Sequence, residues 1–309
     1  MSTEKNLATK SLRPGSNGLP TANAHRVRPT SGAPADPDAI LASLPIGTPD
    51  YLRVLGAILK VAQMLSVSFY SGAMLAAELG QAAAAERLLA DYFRHEETVV
   101  RGLPQTSFDV AFRRARRVAP VDLANLQGDP AGARTAAKGV RERLLELQPK
   151  GAFDHEQIAG ELRSLHLALG WAELQARDYA AALGHFSHVA EARKLLPART
   201  LRQRLESTDG AALLAITLSR DGRLDQARAL AEPALAWHRE HEARLAAYPP
   251  RHRSRALALL AAAYASPAKT GALLAEAQAE LNRLPTELRA ARSSQMLQGL
   301  IADARRVGR

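Results

Sequence analysis

Apolar positions along this chain recur at three- and four-residue spacing, in stripes that stop at short polar turns and start again. One stripe runs through Ala85, Leu88, Leu89, Tyr92 and Phe93, and a second through Ala133, Ala137, Val140, Leu144 and Leu147. A third holds Tyr179, Ala182, Leu183, Phe186, Val189 and Ala190, and a fourth Leu224, Ala227, Leu230, Ala231, Ala234 and Leu235. Such spacing is the buried face of an amphipathic helix. The turns before the stripes fall at Gly80, Gly128, Arg177 and Gly222, separated by 48, 49 and 45 residues. The pattern therefore predicts repeated helical hairpins at about 68–101, 107–148, 158–195, 203–240 and 252–284, the last broken at Ser266-Pro267. A hairpin with one apolar face cannot bury it alone, so successive hairpins must stack, and residues 47–307 are expected to form an all-α solenoid. Proline falls between hairpins near Pro104, Pro149, Pro197 and Pro249, which marks the same boundaries.

The ends of the pattern are also legible. Thr48-Pro49-Asp50 reads as a helix start, with an N-cap, a proline at the first position and an acidic residue against the dipole. Pro120 should kink or delay the first helix of the second hairpin. Pro285-Thr286 should open a last helix, and the segment 285–307 is expected to cap the stack with a polar outer face. Residues 1–46 are rich in Pro, Ser and Thr and mildly basic, with prolines at 14, 20, 29, 34 and 37, and are expected to be a disordered leader.

Composition narrows the fold further. Hydrophobic residues are 47% of the chain but aromatics only 5%, so the core is built from Ala and Leu, which suits close-packed helices. No run alternates β-branched residues, and no sheet is expected. The chain has no cysteine, which excludes disulfides and thiolate chemistry and fits a cytoplasmic location. Its formal charge is +10, dominated by arginine, which favours an acidic partner. The least polar stretch, Val61 to Ala77, carries Gln63, Ser66, Ser68 and Ser71 and is better read as a buried helix than a membrane span.

Two units carry a more specific signature. One has Leu169-Gly170 before its turn, then Tyr179, Ala182 and Phe186; the other has Leu214-Ala215, Gly222, Leu224 and Ala227. These positions resemble the tetratricopeptide repeat, in units longer than that family's usual ~34 residues. The resemblance implies a right-handed superhelix without catalytic activity. It also implies that the first helices line a concave groove for a peptide or protein partner. By position, that groove would include Tyr70, Met74, Asp122, Asn125, Trp171, Leu174, Gln175, Ile216, Ser219 and Arg220.

Other chemistry is thin. Arg113, Arg114, Arg116 and Arg117 are dense enough for phosphate contacts, and Arg251, Arg253 and Arg255 form a second cluster. They leave a nucleic-acid-associated regulator as the alternative, although no interleaved aromatics or recognition motif accompanies them. His238 and His241 share a helix face, as do His185 and His188, but no third ligand is evident, and no metal or cofactor is expected. No phosphate loop, nucleophile elbow or dinucleotide fingerprint is present, so no catalytic residue is assigned.

Overall fold

A computed structural model describes residues 49–307, apart from 102, 104, 196, 197, 199 and 247–250. The leader expected over 1–46 lies outside the described residues. The chain divides into two units, Met1–Leu55 and Gly56–Arg309. Of the first, only 49–55 are described, as the opening of a helix.

Every element among the described residues is helical. In order they are α1 (Pro49–Glu78), α2 (Ala82–Arg101), α3 (Phe108–Ala115), α4 (Ala119–Gln127), α5 (Pro130–Leu145), α6 (Ala152–Ala176) and α7 (Tyr179–Leu195). Then come α8 (Leu201–Arg220), α9 (Leu224–Glu240), α10 (Glu242–Leu245), α11 (Arg251–Ala265), α12 (Thr270–Asn282), α13 (Thr286–Arg289) and α14 (Arg292–Val307). A short 3-10 turn, Pro267–Lys269, joins α11 to α12. Consecutive helices pack in pairs: α6 on α7, α8 on α9, and α11 on α12. Helix α8 is also packed against α7 and α11.

The turns are built alike. Gly80, Gly128, Arg177 and Gly222 are the described residues with positive φ, at 74°, 75°, 61° and 79°. At each, the following N–H bonds back to a carbonyl five residues earlier: Gln81 to Ala76, Asp129 to Ala124, Asp178 to Glu173 and Arg223 to Leu218. This is the Schellman close, which satisfies helix-end carbonyls and needs a left-handed residue. Glycine adopts that conformation freely, whereas Arg177 does so against its Cβ. Asp129 and Asp178 then accept from Gly132 N and Ala181 N and start the next helices.

The core within each of these hairpins is small and tight. Gly170 on α6 faces Phe186 on α7, and a Cβ there would lie 2.4 Å from the ring. In the next hairpin Ala215, Ala227 and Ala231 are fully buried. Small residues let the helix axes approach, and Phe186 fills the space this leaves.

Two expected helices differ in detail. The first helix of the second hairpin is split: α3 ends at Ala115 and α4 begins at Ala119, with Pro120 in its first turn. The last helix is interrupted after Arg289 and resumes from Arg292 to Val307. Leu297, Leu300 and Ile301 are buried, and α14 packs on α11 and α12 and reaches α4. Its start is held by Glu78 at the end of α1, which accepts from Ser293 N at 3.2 Å and Ser293 Oγ at 2.9 Å and from Arg253 Nη1 at 3.0 Å. A carboxylate at a helix N-terminus meets both free N–H groups and the positive end of the dipole.

Candidate binding cavity

A cavity of about 470 Å³ opens where α1, α4, α6, α7, α8 and α14 converge. Four-residue spacing brings its side chains to one face of each helix. Tyr70 and Met74 come from α1, and Asp122 and Asn125 from α4. On α6, Arg163, Leu167 and Trp171 follow at successive four-residue steps. Met296 of α14 closes one wall and, with Trp171, also lines a second cavity of about 300 Å³ that holds Leu174 and Gln175.

The residues expected in a groove therefore divide. Tyr70, Met74, Asp122, Asn125 and Trp171 share the larger cavity, and Leu174 and Gln175 the smaller. Ile216 does not reach a groove, because it is fully buried. Ser219 Oγ donates to Ala215 O at 2.9 Å, a bond within its own helix. Arg220 lies between the rings of Tyr179 and Tyr264, 4.9 Å from each centroid, and donates to Tyr264 Oη at 3.1 Å. Tyr264 in turn donates to Leu300 O of α14 at 3.1 Å. Arg220 thus helps hold the last helix instead of facing a ligand.

The electrostatics of the cavity are uneven. Tyr70 Oη donates to Asp122 Oδ2 at 2.8 Å. Burial pushes the Asp122 carboxyl up to about 6, opposed by the Tyr70 hydrogen bond. Burial raises the Tyr70 hydroxyl well above the usual phenol range, with Asp122 adding to it. Asn125 Nδ2 donates to Ala168 O at 2.7 Å, while its buried Oδ1 has no partner among the described residues. Glu78 is engaged by Arg253 and Ser293, and Glu206 by Arg202 at 2.9 Å. Arg163 and Arg193 are different. Both are half-buried and line the cavity, and neither guanidinium makes an ion pair or hydrogen bond among the described residues. Burial lowers Arg193 from its ordinary value, and the positive charge of Arg163 lowers it further.

The arginine run at the end of α3 and just beyond it lies elsewhere. Arg113 and Arg116 pair with Glu96 at 3.2 and 3.7 Å, and Arg114 and Arg117 with Glu97 at 3.5 and 3.8 Å. Arg253 pairs with Glu78 at 3.0 Å, and Arg255 with Glu242 at 3.1 Å and Glu280 at 3.4 Å. Arg251 donates to Leu245 O at 3.3 Å. His185 meets His166 at 3.0 Å between ring nitrogens, and His188 stacks on His166. His238 lies against Ser254, and His241 stacks on Trp237. Among the described residues no cluster of His, Asp and Glu is arranged to hold a metal ion. No described helix is long and apolar enough to cross a membrane.

In comparisons with known proteins, no family model, no curated protein and no solved structure matches this chain. What the cavity does is therefore argued from its own residues. Arg163 and Arg193 were not among the expected site residues. The signal for Arg163 was the four-residue step that aligns it with Trp171; Arg193 reaches the site only through the packing of α7 on α6.

Proposed function

We propose that this chain is a non-catalytic binding module of the cytoplasm, a right-handed α-solenoid of tetratricopeptide type that holds a protein partner or peptide on the side where the first helices meet. Recurrence supports the architecture: four hairpin turns of one design, 48, 49 and 45 residues apart, each followed by a helix with a buried small residue. The observation that carries the binding reading is the cavity. It gathers Tyr70, Met74, Asp122, Asn125 and Trp171 from α1, α4 and α6, the first-helix segments of successive hairpins. A half-buried tryptophan beside methionines on a concave surface is the chemistry of an interface anchor. The overall charge of +10 favours an acidic partner. The nucleic-acid alternative has less support, because Arg113, Arg114, Arg116 and Arg117 are already paired with Glu96 and Glu97. Phosphate contacts would have to displace those carboxylates.

Trp171→Ala tests the reading, checked by far-UV circular dichroism for an intact fold. Partner capture should fall at least tenfold, the loss expected of a central aromatic anchor worth about 2 kcal/mol or more. Undiminished capture by a folded Trp171→Ala protein would remove the groove from the account.

A further inference from the structure

Two arginines that face one cavity without a counter-ion repel each other and cost stability in the empty protein. Arg163 and Arg193 are in this position, and their charges interact. The carboxylates in the same wall do not neutralise them. Glu78 is held by Arg253 and Ser293, Glu206 by Arg202, and Asp122 by the Tyr70 hydroxyl. Beside the arginines the wall is apolar and aromatic, from Leu167, Trp171, Met74 and Met296. The buried Asn125 Oδ1 adds an acceptor that lacks a donor among the described residues.

We propose that this cavity is a binding site for a small organic oxyanion, with a carboxylate or phosphate between Arg163 and Arg193 and an apolar body along Trp171. This rests on the reading that the cavity is the protein's binding surface, and it names the ligand class. Guanidinium groups are the side chains best matched to such oxyanions, since their donors form a planar fork. The volume of about 470 Å³ is that of a small-molecule site. The last helix forms one wall through Ser293 and Met296. A hydroxyl or amine on the ligand would satisfy Asn125.

The test uses isothermal titration of the full chain with phenyl phosphate, phenylacetate and neutral benzyl alcohol. At least one anion should bind saturably at one site, with benzyl alcohol at least tenfold weaker. Which anion binds better separates a phosphate ligand from a carboxylate one. Arg163→Gln and Arg193→Gln should each weaken the anion by about 10- to 100-fold, the loss of a charge-assisted hydrogen bond. Without ligand, Arg193→Gln should raise the thermal midpoint, because it removes a like-charge contact. With ligand, the wild-type midpoint should rise and that of the double variant should not. Absence of anion binding at millimolar concentration, or equal binding by the arginine variants, overturns the assignment. If no anion binds while Trp171→Ala loses its protein partner, the oxyanion site fails and the groove reading stands. If no anion binds and Trp171→Ala captures the partner normally, both fail.

Discussion

The contact between Gly170 and Phe186 gives the most exacting test of how the two helices of a hairpin pack. A Cβ at position 170 would lie 2.4, 2.6 and 2.8 Å from three atoms of the Phe186 ring. Ordinary contact needs about 3.5–4.0 Å, so the ring would have to move by roughly an ångström. It has little room, since Phe186 is fully buried in a cluster with Ala182 and Leu213. Overpacking of this kind costs about 1–3 kcal/mol, while glycine to alanine inside a helix returns about 0.5–1 kcal/mol. Gly170→Ala should therefore destabilise by about 1–2 kcal/mol. Phe186→Ala alone should cost about 3–5 kcal/mol through lost burial and a cavity. With the ring gone the new methyl has space, and Gly170→Ala in that background should stabilise by about 0.5–1 kcal/mol. The two changes are thus coupled by about 2 kcal/mol, within the range seen for residues in contact. Urea denaturation of the four proteins, followed by circular dichroism with two-state behaviour verified, measures the cycle. Additive effects would refute the close approach, as would a stabilising Gly170→Ala in the wild-type background.

Other consequences follow from the turns, the buried charges and the clasp on the last helix. Gly222→Ala, at φ 79°, should cost about 1–2 kcal/mol in thermal or urea melts, whereas Arg177→Gly should be neutral or mildly stabilising. That arginine gives up an ion pair to Asp303 at 3.4 Å, and Arg306, at 3.5 Å, still pairs with the same carboxylate. Burial, with Arg255 nearby, lowers His238 to about 4. The folded state then holds fewer protons than the unfolded one between about 4 and 6.5, so stability from this group falls as pH drops through that window. A His238→Gln variant should lack this acid loss in urea melts. Asp209 has the opposite sign. Burial raises it to about 7, opposed by the Ser254 hydrogen bond, so its contribution is lost as pH rises from about 4 through 7. Asp209→Asn should flatten that limb, and an unchanged profile would contradict its burial. Glu78→Gln should weaken the hold on α14 and speed hydrogen exchange at its first turn, while α9 stays protected.

The parts of this account that depend on neighbours in sequence were legible from sequence. Turn glycines are required because a Schellman close needs a left-handed residue, and the stripes follow because one helix face is buried. Arg177 could be placed only by its phase, since its own chemistry argues against the position. Contacts between distant segments left no local trace. Glu78 capping α14 joins residues 215 apart. The pairing of the α3 arginines with Glu96 and Glu97 depends on how α3 packs against α2. On α8 the expected groove position Ile216 is buried for a specific reason. That helix is packed by α7, α9 and α11, and Ala212 through Leu218 are all buried, so it has no face left to line a groove at Ile216. Arg163 and Arg193 were missed because an arginine in a half-polar helix reads as a solvated charge until its partners are counted.

The most direct test of the central claim is affinity capture of the tagged chain from its native host, with and without nuclease, beside Trp171→Ala, read by mass spectrometry. A stoichiometric partner should survive nuclease and be lost from Trp171→Ala. Recovery that collapses with nuclease, or that Trp171→Ala leaves unchanged, would contradict that claim.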